Sequence, residues 1–257
     1  FSKPLGVDNL GVAPGGKLLG MSMEVSPGKS PAETKKALEE KETVKSTGML
    51  YDRLFVRHWD TWKDGRRNHV FALPLGADGK AAGAAKDLMP AMDADAPPKP
   101  FGGLDDAAIS PDGKTLVFTC KDVGREEAWS TNYDLWEVPT DGSAAPKRIT
   151  TNPAWDSTPR FSPDGKTLAY AAMSRPGYEA DRFEIVFRDL VTGKDRSFTL
   201  RAGPGKTDDR SPSSLTWSAD GRSLYATADH LGQKALFAVD AATGKTRLLL
   251  ADGSVDS

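Results

Sequence analysis

The stretch FSPDGKTLAY, residues 161–170, decides how this chain is organised, because the chain repeats it. Looser copies are ISPDGKTLVF at 109–118 and WSADGRSLYA at 217–226, and a fainter one is VAPGGKLLGM at 12–21. In the clearest copies a strand ends, proline enters a tight turn, and Asp-Gly supplies the left-handed residue that a hairpin turn needs. An alternating strand then leaves the turn. Such recurrence predicts a repeat architecture.

Each repeat continues with a loop, a third strand, a second turn and a fourth strand, as in EIVFRDL at 184–190 followed by TGK and RSFTL. Four antiparallel strands per unit are typical of a β-propeller blade. The sequence therefore predicts an all-β fold, with 1–257 a β-propeller segment of about four four-stranded antiparallel blades. The blades are predicted at 5–88 with an insertion at 26–48, then at 105–151, 156–200 and 214–250.

The insertion breaks the strand pattern of the first blade. Its centre, residues 31–44, is rich in Ala, Glu and Lys, with Ser30 placed as an N-cap and Pro31 at the first helical position. This composition predicts a short exposed helix, and a solvated loop is the alternative that stays open.

After the insertion, a second pair of apolar segments resumes the first blade. Leu54 and Val56 predict one strand, residues 71–73 predict the next, and Asp64-Gly65 predicts the turn between them.

Composition excludes several classes of partner. The 34 basic and 36 acidic side chains give a formal charge of −2, which offers no electrostatic footprint for nucleic acid or for an anionic membrane surface. No run of 18 apolar residues could span a bilayer. Cys120 is the single cysteine, so no internal disulfide can form, and we expect a buried small hydrophobic side chain there.

The two ends of the chain suggest a larger molecule. The first residues lack the basic and apolar regions of a signal peptide and open within a strand-like pattern, and the last, ADGSVDS, could begin a further blade. An open arc of blades would expose apolar faces to water. We therefore expect a seven- or eight-bladed ring completed by polypeptide outside 1–257.

The hairpins resemble the blade repeat of periplasmic translocation propellers and of the prolyl oligopeptidase family. The stretch RLFVRHWDTWKDGRRNHVF, 53–71, in a blade that carries an insertion, resembles the dipeptidyl-peptidase and acylaminoacyl-peptidase branch of that family of serine peptidases. Two further stretches agree with this branch, TNYDLWEVPTDG at 131–142 and RPGYEADRFEIVFRDL at 175–190.

The resemblance implies an N-terminal propeller that covers the mouth of a C-terminal α/β-hydrolase domain carrying the catalytic triad. It implies a peptide substrate, a periplasmic or secreted location, and contact with the hydrolase domain or the remaining blades; a homo-oligomer stays open. We expect this chain to gate substrates and recognise N-termini for a serine exopeptidase that removes dipeptides or acyl-amino acids. The alternative is a non-catalytic, protein-binding propeller like those of translocation systems.

The hydrolase half of that pattern is missing from 1–257. No Gly-x-Ser-x-Gly elbow occurs, and the closest approach, residues 20–24, lacks the second glycine. The histidines are His58, His69 and His230, and no serine near them has an elbow context. We therefore predict no catalytic residue in this chain.

The sequence also predicts no cofactor and no metal site. It contains neither a His-Glu-x-x-His motif nor a cysteine pair. Residues 203–207, GPGKT, resemble the end of a phosphate loop, but Leu200 stands where that loop requires glycine, so nucleotide binding is rejected.

Two groups of residues are the candidates for substrate binding. Arg57, Trp59, Asp60 and Trp62 combine stacking area with an ion-pair partner, which suits peptide recognition. The alternative is that both tryptophans pack between blades and that Arg57 and Asp60 form a structural pair.

The second group is Glu179, Asp181 and Arg182, in a loop before a blade strand. An exopeptidase that removes dipeptides has to hold a free α-ammonium group, and one or two carboxylates are the simplest means. By analogy with dipeptidyl peptidases, Glu179 and Asp181 are predicted to do this. A solvated charged loop is the alternative.

Overall fold

The computed structural model describes residues 5–52, 54, 56–203 and 209–255, and its strands form one four-stranded antiparallel sheet for each hairpin repeat. We call these sheets blades 1 to 4. Blade 1 contains β1 (Asp8–Val12), β2 (Leu18–Val25), β5 (Arg67–Pro74) and β6 (Lys86–Asp87), and a separate hairpin of β3 (Arg57–His58) and β4 (Thr61–Trp62) lies between β2 and β5. The predicted all-β fold of four-stranded antiparallel sheets is confirmed.

The other blades keep the same strand order. Blade 2 contains β7 (Ala107–Ile109), β8 (Thr115–Cys120), β9 (Asp134–Pro139) and β10 (Lys147–Arg148), and blade 3 contains β11 (Asp156–Phe161), β12 (Thr167–Ala172), β13 (Glu184–Asp189) and β14 (Asp195–Phe198). A short ribbon of β15 (Leu200–Arg201) and β16 (Asp209–Arg210) precedes blade 4, which contains β17 (Pro212–Trp217), β18 (Ser223–His230), β19 (Gln233–Asp240) and β20 (Thr246–Leu250). Arg53, Phe55 and residues 204–207 of the glycine-rich stretch lie outside the described residues.

The hairpin turn of blade 3 shows why the repeated sequence folds as it does. The Ser162 hydroxyl donates to Asp164 Oδ1 at 2.6 Å and accepts the backbone N–H of Thr167 at 2.9 Å. Asp164 Oδ1 also accepts the N–H of Lys166, and Gly165 takes a φ of 69°, which only glycine adopts without strain. The hydrogen bond from Ser162 holds the pKa of Asp164 below its ordinary value. The turns at 110–115 and 218–223 repeat every one of these bonds.

Successive turns also touch one another. A Cβ at Gly165 would lie 3.5 Å from the ring of Pro111, and one at Gly221 would lie 3.5 Å from the ring of Pro163. The turn proline of blade 2 therefore packs against the turn glycine of blade 3, and that of blade 3 against that of blade 4, whereas Gly113 of blade 2 has no such neighbour.

The core lies between neighbouring blades. Leu135 and Val117 of blade 2 pack against Leu168, Tyr170 and Val186 of blade 3, all nine-tenths buried or more. Similar clusters join blades 1 and 2 and blades 3 and 4. Each blade thus buries one apolar face against the next, which stabilises the array by the hydrophobic effect.

Arg160 links the first strand of blade 3 to the first strand of blade 4 and to the segment ahead of blade 2. A bulge in β11, where Thr158 has a φ of 57°, re-aims the strand just before Arg160. The Arg160 guanidinium donates to the carbonyl of Leu215 in blade 4 at 3.0 Å. It also donates to the carbonyl of Asp105, ahead of blade 2, and forms an ion pair with the Asp105 carboxylate.

The helix in the insertion is confirmed, as α1 (Pro31–Glu42). Ser30 caps it in a reciprocal capping box with Glu33, as the sequence predicts. Thr34 is fully buried and its hydroxyl accepts the N–H of Ser26, so this residue anchors an otherwise polar helix to the end of β2. None of the described helices has the length and apolarity needed to cross a bilayer.

The predicted strand at Leu54 and Val56 is wrong. The partner of β5 is β2, paired from Leu18 opposite Pro74 to Val25 opposite Arg67. The interruption between these two strands therefore runs over 26–66 rather than 26–48. The apolar residues at its far end build the wall of a cleft rather than a strand of the sheet.

Replacing Arg160 with methionine should lower the free energy of unfolding by about 2 kcal/mol. The change leaves the Leu215 and Asp105 carbonyls without their donor while keeping most of the side-chain volume. Urea unfolding followed by far-UV circular dichroism would measure it. Arg222→Met, at an exposed turn position, is the matched control and should leave the midpoint unchanged. Equal midpoints for the two variants would contradict the bridging role of Arg160.

Candidate functional site

The long loops of this protein emerge on one side of the blades. In a four-stranded antiparallel sheet, the connection between the second and third strands leaves at the same end as the connection to the next sheet. The strand-connecting loops at this end run over 26–66, 121–133, 173–183 and 231–232. We call this side the loop face. The repeated hairpin turns lie on the opposite side.

Side chains join the loops of the loop face to one another. Lys63 of the first loop and Glu127 of the second form an ion pair at 2.5 Å. The N–H of Gly177 in the third loop donates to Thr131 Oγ1 in the second at 2.9 Å. These loops therefore form one continuous surface.

A cleft of about 640 Å³ opens between the first and second loops. Its apolar lining comes from the end of the insertion and its charged lining from both loops and from the start of β5. The lining residues used below are Met49, Leu50, Tyr51, Asp52, Leu54, Lys63, Arg67, Asp93, Asp122 and Glu127.

Arg67 organises the charged wall of this cleft. Its side chain is only 9% exposed, and its guanidinium donates to Asp93 at 2.8 Å, to Asp95 at 3.0 Å and to both oxygens of Glu127 at 2.8 and 3.0 Å. Burial disfavours the charged guanidinium, but these bonds outweigh burial and raise the pKa of Arg67. A fully paired guanidinium of this kind holds its neighbours in fixed positions.

Glu127, in the loop between β8 and β9 of blade 2, contacts the insertion through Lys63. Burial alone would raise the pKa of Glu127, but hydrogen bonds from Arg67 and Lys63 outweigh it and lower that pKa to about 2. Burial also lowers the pKa of Lys63. Glu127 is therefore an ionised wall of the cleft whose oxygens are already occupied.

Two other carboxylates in the cleft have free oxygens. Asp52 and Asp122 are exposed and line opposite loops, and neither forms an ion pair or a hydrogen bond through its side chain within the described part of the chain. Sequence analysis missed both, together with Arg67 and Glu127. The paired glutamates at 126–127, in a strand-connecting loop, are the signal that could have directed attention there.

The first group of predicted site residues lies on the β3–β4 hairpin, beside the cleft. Trp59 and Trp62 are 66% and 53% exposed, so neither packs between blades. The Arg57 guanidinium lies over the ring of Trp62 at 5.4 Å, and among the described residues it forms no ion pair with Asp60. The structure therefore contradicts the alternative in which both tryptophans pack between blades and Arg57 pairs with Asp60.

Trp59 extends this aromatic surface. Its backbone has a φ of 49°, which is strained for a bulky residue, and its ring meets the exposed ring of Phe101 edge to face at 5.2 Å. Phe101 lies in the connection between blades 1 and 2. The hairpin thus reaches across the loop face.

The second predicted group lies in the third loop, and its members have different surroundings. Asp181 accepts the backbone N–H groups of Ser174 and Arg175, both at 2.9 Å, which hold the pKa of Asp181 low. Arg182 is paired with Glu184 at 2.7 Å and with Asp209. Glu179 is exposed. Substrate binding by this group stays a prediction.

Histidine, cysteine and metal-binding side chains do not converge in the described residues. His69 is fully buried, with Nδ1 2.8 Å from Asp87 Oδ2 and Nε2 3.0 Å from the carbonyl of Met92, whereas His230 lies in blade 4 beside Arg210. Burial raises the pKa of the Cys120 thiol, which disfavours the thiolate. No group of three metal-binding side chains occurs within the described ranges.

Comparisons with known proteins place the chain among peptidase relatives. It is 37% identical over 233 residues to dipeptidyl-peptidase 5 of Trichophyton schoenleinii, covering 84% of this chain and 31% of that protein. It is 37% identical over 205 residues to dipeptidyl-peptidase 5 of Arthroderma otae, covering 75% of this chain and 28% of that protein. The chain thus spans about a third of the length of the curated relatives it matches. No protein-family model matches it.

Solved structures agree on the fold. TolB from Acinetobacter baumannii superposes with a TM-score of 0.53 at 16% identity, covering 99% of this chain and 46% of TolB. A puromycin-hydrolyzing peptidase of Mycobacterium tuberculosis superposes with a TM-score of 0.53 at 13% identity, covering 95% of this chain and 29% of the peptidase. The predicted β-propeller segment and the predicted peptidase resemblance are both confirmed.

Replacing Glu127 with glutamine should destabilise the protein at neutral pH by about 2–4 kcal/mol, because Arg67 keeps its buried charge but loses its ionised partner. The pH dependence should change too. Since the pKa of Glu127 is lowered to about 2, its contribution is complete above an ordinary pKa of 4.5 and is lost as pH falls towards 2. The variant should lack this part of the acid transition.

Thermal midpoints measured between pH 2 and 7 would test both statements. Glu126→Gln, an exposed neighbour on the same turn, should behave as the parent protein does. A Glu127→Gln profile parallel to the parent over this whole range would show that Glu127 does not hold the cleft wall.

Proposed function

We propose, since this chain is homologous to part of the dipeptidyl-peptidase 5 proteins, that it forms the substrate-gating propeller portion of a serine exopeptidase. In this proposal the rest of the longer protein supplies the hydrolase domain and its catalytic triad, and the enzyme works in the periplasm or outside the cell. It removes dipeptides or acyl-amino acids from peptide N-termini, and the carboxylates of Asp52 and Asp122 favour the dipeptides, whose amino group is free. The observation that carries the proposal is a cleft with two carboxylates that have no partner among the described residues, in a chain with peptidase relatives.

The cleft supports recognition of a peptide N-terminus. Asp52 and Asp122 offer carboxylate oxygens to an α-ammonium group from two sides. A charge-assisted hydrogen bond from ammonium to carboxylate is stronger than a neutral one, and partial enclosure strengthens it further. Met49, Leu50 and Leu54 give the first side chain of the peptide an apolar surface.

The neighbouring ion pairs hold the side chains of the cleft wall in fixed positions. Glu127 is committed to Lys63 and Arg67, so it shapes the cleft without competing for the ligand. The cleft lining as a whole is balanced, with acidic side chains at Asp52, Asp64, Asp93, Asp122 and Glu127 and basic ones at Lys41, Lys63, Arg66, Arg67 and Arg125. The proposed preference for an ammonium group therefore depends on the placement of Asp52 and Asp122.

The exposed aromatic rings extend the proposed path of the peptide. Trp59 and Phe101 form an edge-to-face pair, and Arg57 stacks on Trp62. Aromatic rings at such positions bind apolar side chains and peptide planes with little loss of side-chain entropy. Glu179 remains a second candidate for the ammonium group at the far side of the loop face.

A non-catalytic, partner-binding propeller is the second candidate function. The structural similarity to TolB, with a TM-score equal to that of the peptidase, favours it as much as it favours a peptidase. The 37% identity to dipeptidyl-peptidase 5, against 16% to TolB, favours the first candidate.

A free peptide amino group should be required for tight binding to this chain. Isothermal titration calorimetry with an alanine-rich tetrapeptide and its N-acetyl form should give about tenfold weaker binding for the acetylated peptide, equal to the loss of one charge-assisted contact. The double variant D52N/D122N should bind both forms equally, at the weaker affinity.

Asp78→Asn, in a turn on the opposite side of blade 1, is the matched control and should bind as the parent protein does. Equal affinity of the parent for both peptides would overturn recognition of the amino group. The second candidate function would replace the first if this chain bound neither peptide but bound, saturably, a folded protein that is a partner of TolB.

A further inference from the structure

A small apolar pocket lies at the joint between blades 1 and 2. It has a volume of about 180 Å³ and shares no lining residue with the cleft. Its walls come chiefly from β1 and β2 of blade 1, from β7 and β8 of blade 2, and from the connection between these blades. No lining side chain is charged, and only those of Asn9 and Ser22 are polar. The pocket therefore differs from the cleft both in position and in chemistry.

The pocket exists because blade 1 has glycine at two facing positions. Gly11 of β1 and Gly20 of β2 are directly paired, and both line the pocket. When the hairpin repeats are aligned, the corresponding pairs in blades 2, 3 and 4 are Ala108 with Val117, Arg160 with Ala169, and Thr216 with Tyr225. Blade 1 is thus the one described blade with no side chain at either position.

Blade 3 shows what this position does when it carries a side chain. Both β1 and β11 contain a bulge two residues earlier, where Asn9 has a φ of 54° and Thr158 a φ of 57°. In blade 3 the bulge is followed by Arg160, whose guanidinium crosses the joint to the carbonyl of Leu215 at 3.0 Å. In blade 1 the same bulge is followed by Gly11, so no side chain from this position enters the joint with blade 2.

The pocket opens to solvent between exposed apolar residues. Val12 and Leu104, which both line it, are 61% and 55% exposed. An apolar cavity of about 150 Å³ is large enough to bind benzene, so this pocket can hold the side chain of leucine or phenylalanine. Burying a charged group without a partner is costly. The uncharged lining is therefore complementary to an uncharged apolar occupant.

The strand beside the pocket indicates that this occupant belongs to a peptide. Among the described strands β1 pairs with β2 only, so its other edge leaves backbone N–H and C=O groups able to pair with an extended chain. Asn9 Nδ2 donates to Ser22 Oγ at 2.9 Å, whereas Asn9 Oδ1 accepts no hydrogen bond in the described part of the chain. An open strand edge gives a bound peptide its backbone bonds, and a pocket next to it selects a side chain.

The pocket is connected to the exposed aromatic rings beside the cleft. Gly103, in the pocket wall, lies two residues after Phe101, whose ring meets that of Trp59. At the other end of the β3–β4 hairpin, the ring of Trp62 lies 5.9 Å from that of Tyr51, which lines the cleft. Aromatic contacts thus run from the cleft to the connection that forms the pocket wall.

We propose that this pocket is a second peptide subsite, which binds one uncharged apolar side chain of a peptide lying along β1. Asn9 Oδ1 accepts a backbone N–H of that peptide, and the space left by Gly11 and Gly20 receives the side chain. The size of the pocket admits residues up to phenylalanine, and its lining rejects charged ones. The peptide as the occupant rests on the proposed function, whereas the affinity of the pocket for an apolar group does not.

Toluene tests the pocket in the absence of any peptide. Saturation-transfer difference NMR should detect toluene on the parent protein, and Gly11→Leu, whose own side chain fills the pocket, should bind it about tenfold more weakly. Gly15→Leu, at an exposed turn position of the same blade with open space around it, is the matched control and should bind toluene as the parent does. No binding by the parent, or equal binding by Gly11→Leu, would overturn the pocket as a binding site.

N-acetylated pentapeptides test the peptide as the occupant. Isothermal titration calorimetry should compare acetyl-pentaalanine with forms that carry one leucine at each position in turn. At least one leucine form should bind the parent about tenfold more tightly than acetyl-pentaalanine does. Lysine at that same position should remove the gain, because the pocket offers its charge no partner. Gly11→Leu should bind every form as weakly as acetyl-pentaalanine.

The acetyl group separates this test from that of the proposed function. A leucine gain that persists in D52N/D122N would support the subsite even where the amino group is not recognised. Equal affinity of the parent for the leucine and alanine forms would overturn it. Should Gly11→Leu fail to fold, Gly11→Ala, whose methyl group would meet only Leu104 at 3.9 Å, should reduce the leucine gain about fourfold, and an unchanged gain would also overturn the subsite.

Discussion

The side-chain-to-backbone bonds of the repeated hairpin turn are the constraint on which the rest of this fold depends. In blades 2 to 4, one serine hydroxyl and one aspartate carboxylate close the turn from inside, so the register of the first two strands is fixed by local bonds and needs no contact between blades. The turns then touch, proline against glycine, and this sets the spacing at which apolar faces of adjacent blades can interlock. Blade 1 lacks the serine and aspartate, and its turn is closed by backbone bonds from the N–H of Gly16 to the carbonyl of Ala13 and from the N–H of Ala13 to the carbonyl of Leu18.

Several of the buried or half-buried charges on the loop face are paired. At Arg67, Asp93, Asp95 and Glu127 neutralise a guanidinium that could not stay buried alone. Asp156 differs, since it accepts the side-chain amide of Asn152 and pairs with no cation in the described part of the chain. The cleft wall around Arg67 is therefore fully paired, whereas the Asp156 carboxyl group keeps one buried oxygen without a partner among the described residues.

Much of the fold could be predicted from the sequence, because the information is local. Turn residues, alternation and the Ser30 cap each act within a few positions, and the predicted blades and helix follow from them. The pairing of β5 with β2 could not be predicted in the same way, because the partner lies before an insertion and the segment around Leu54 has an equally apolar pattern. Lys63 and Glu127 are 64 positions apart in sequence, and no pattern of single charges identifies that contact.

Part of the candidate site could likewise be predicted from the sequence, and part could not. The sequence directed attention to the hairpin at 57–62 through its aromatic residues, and the structure leaves those rings exposed. Asp52 and Asp122 matter only because two loops from different blades bring them to one cleft, which is a property of the assembled blades. Asp181 looked equivalent to Glu179 in sequence, yet two backbone N–H groups already bind it.

The loops between the second and third strands shorten steadily from blade 1 to blade 4, from 26–66 to the two-residue turn at 231–232. The loop face is therefore a ramp, high where the insertion stands and low where blade 4 ends in bare strands. Under the proposed function, a peptide lying over these four blades would meet only short loops above blades 3 and 4 and a wall at the insertion. The insertion would then stop the leading end of the peptide at the cleft, so the loop lengths alone would favour one direction of entry.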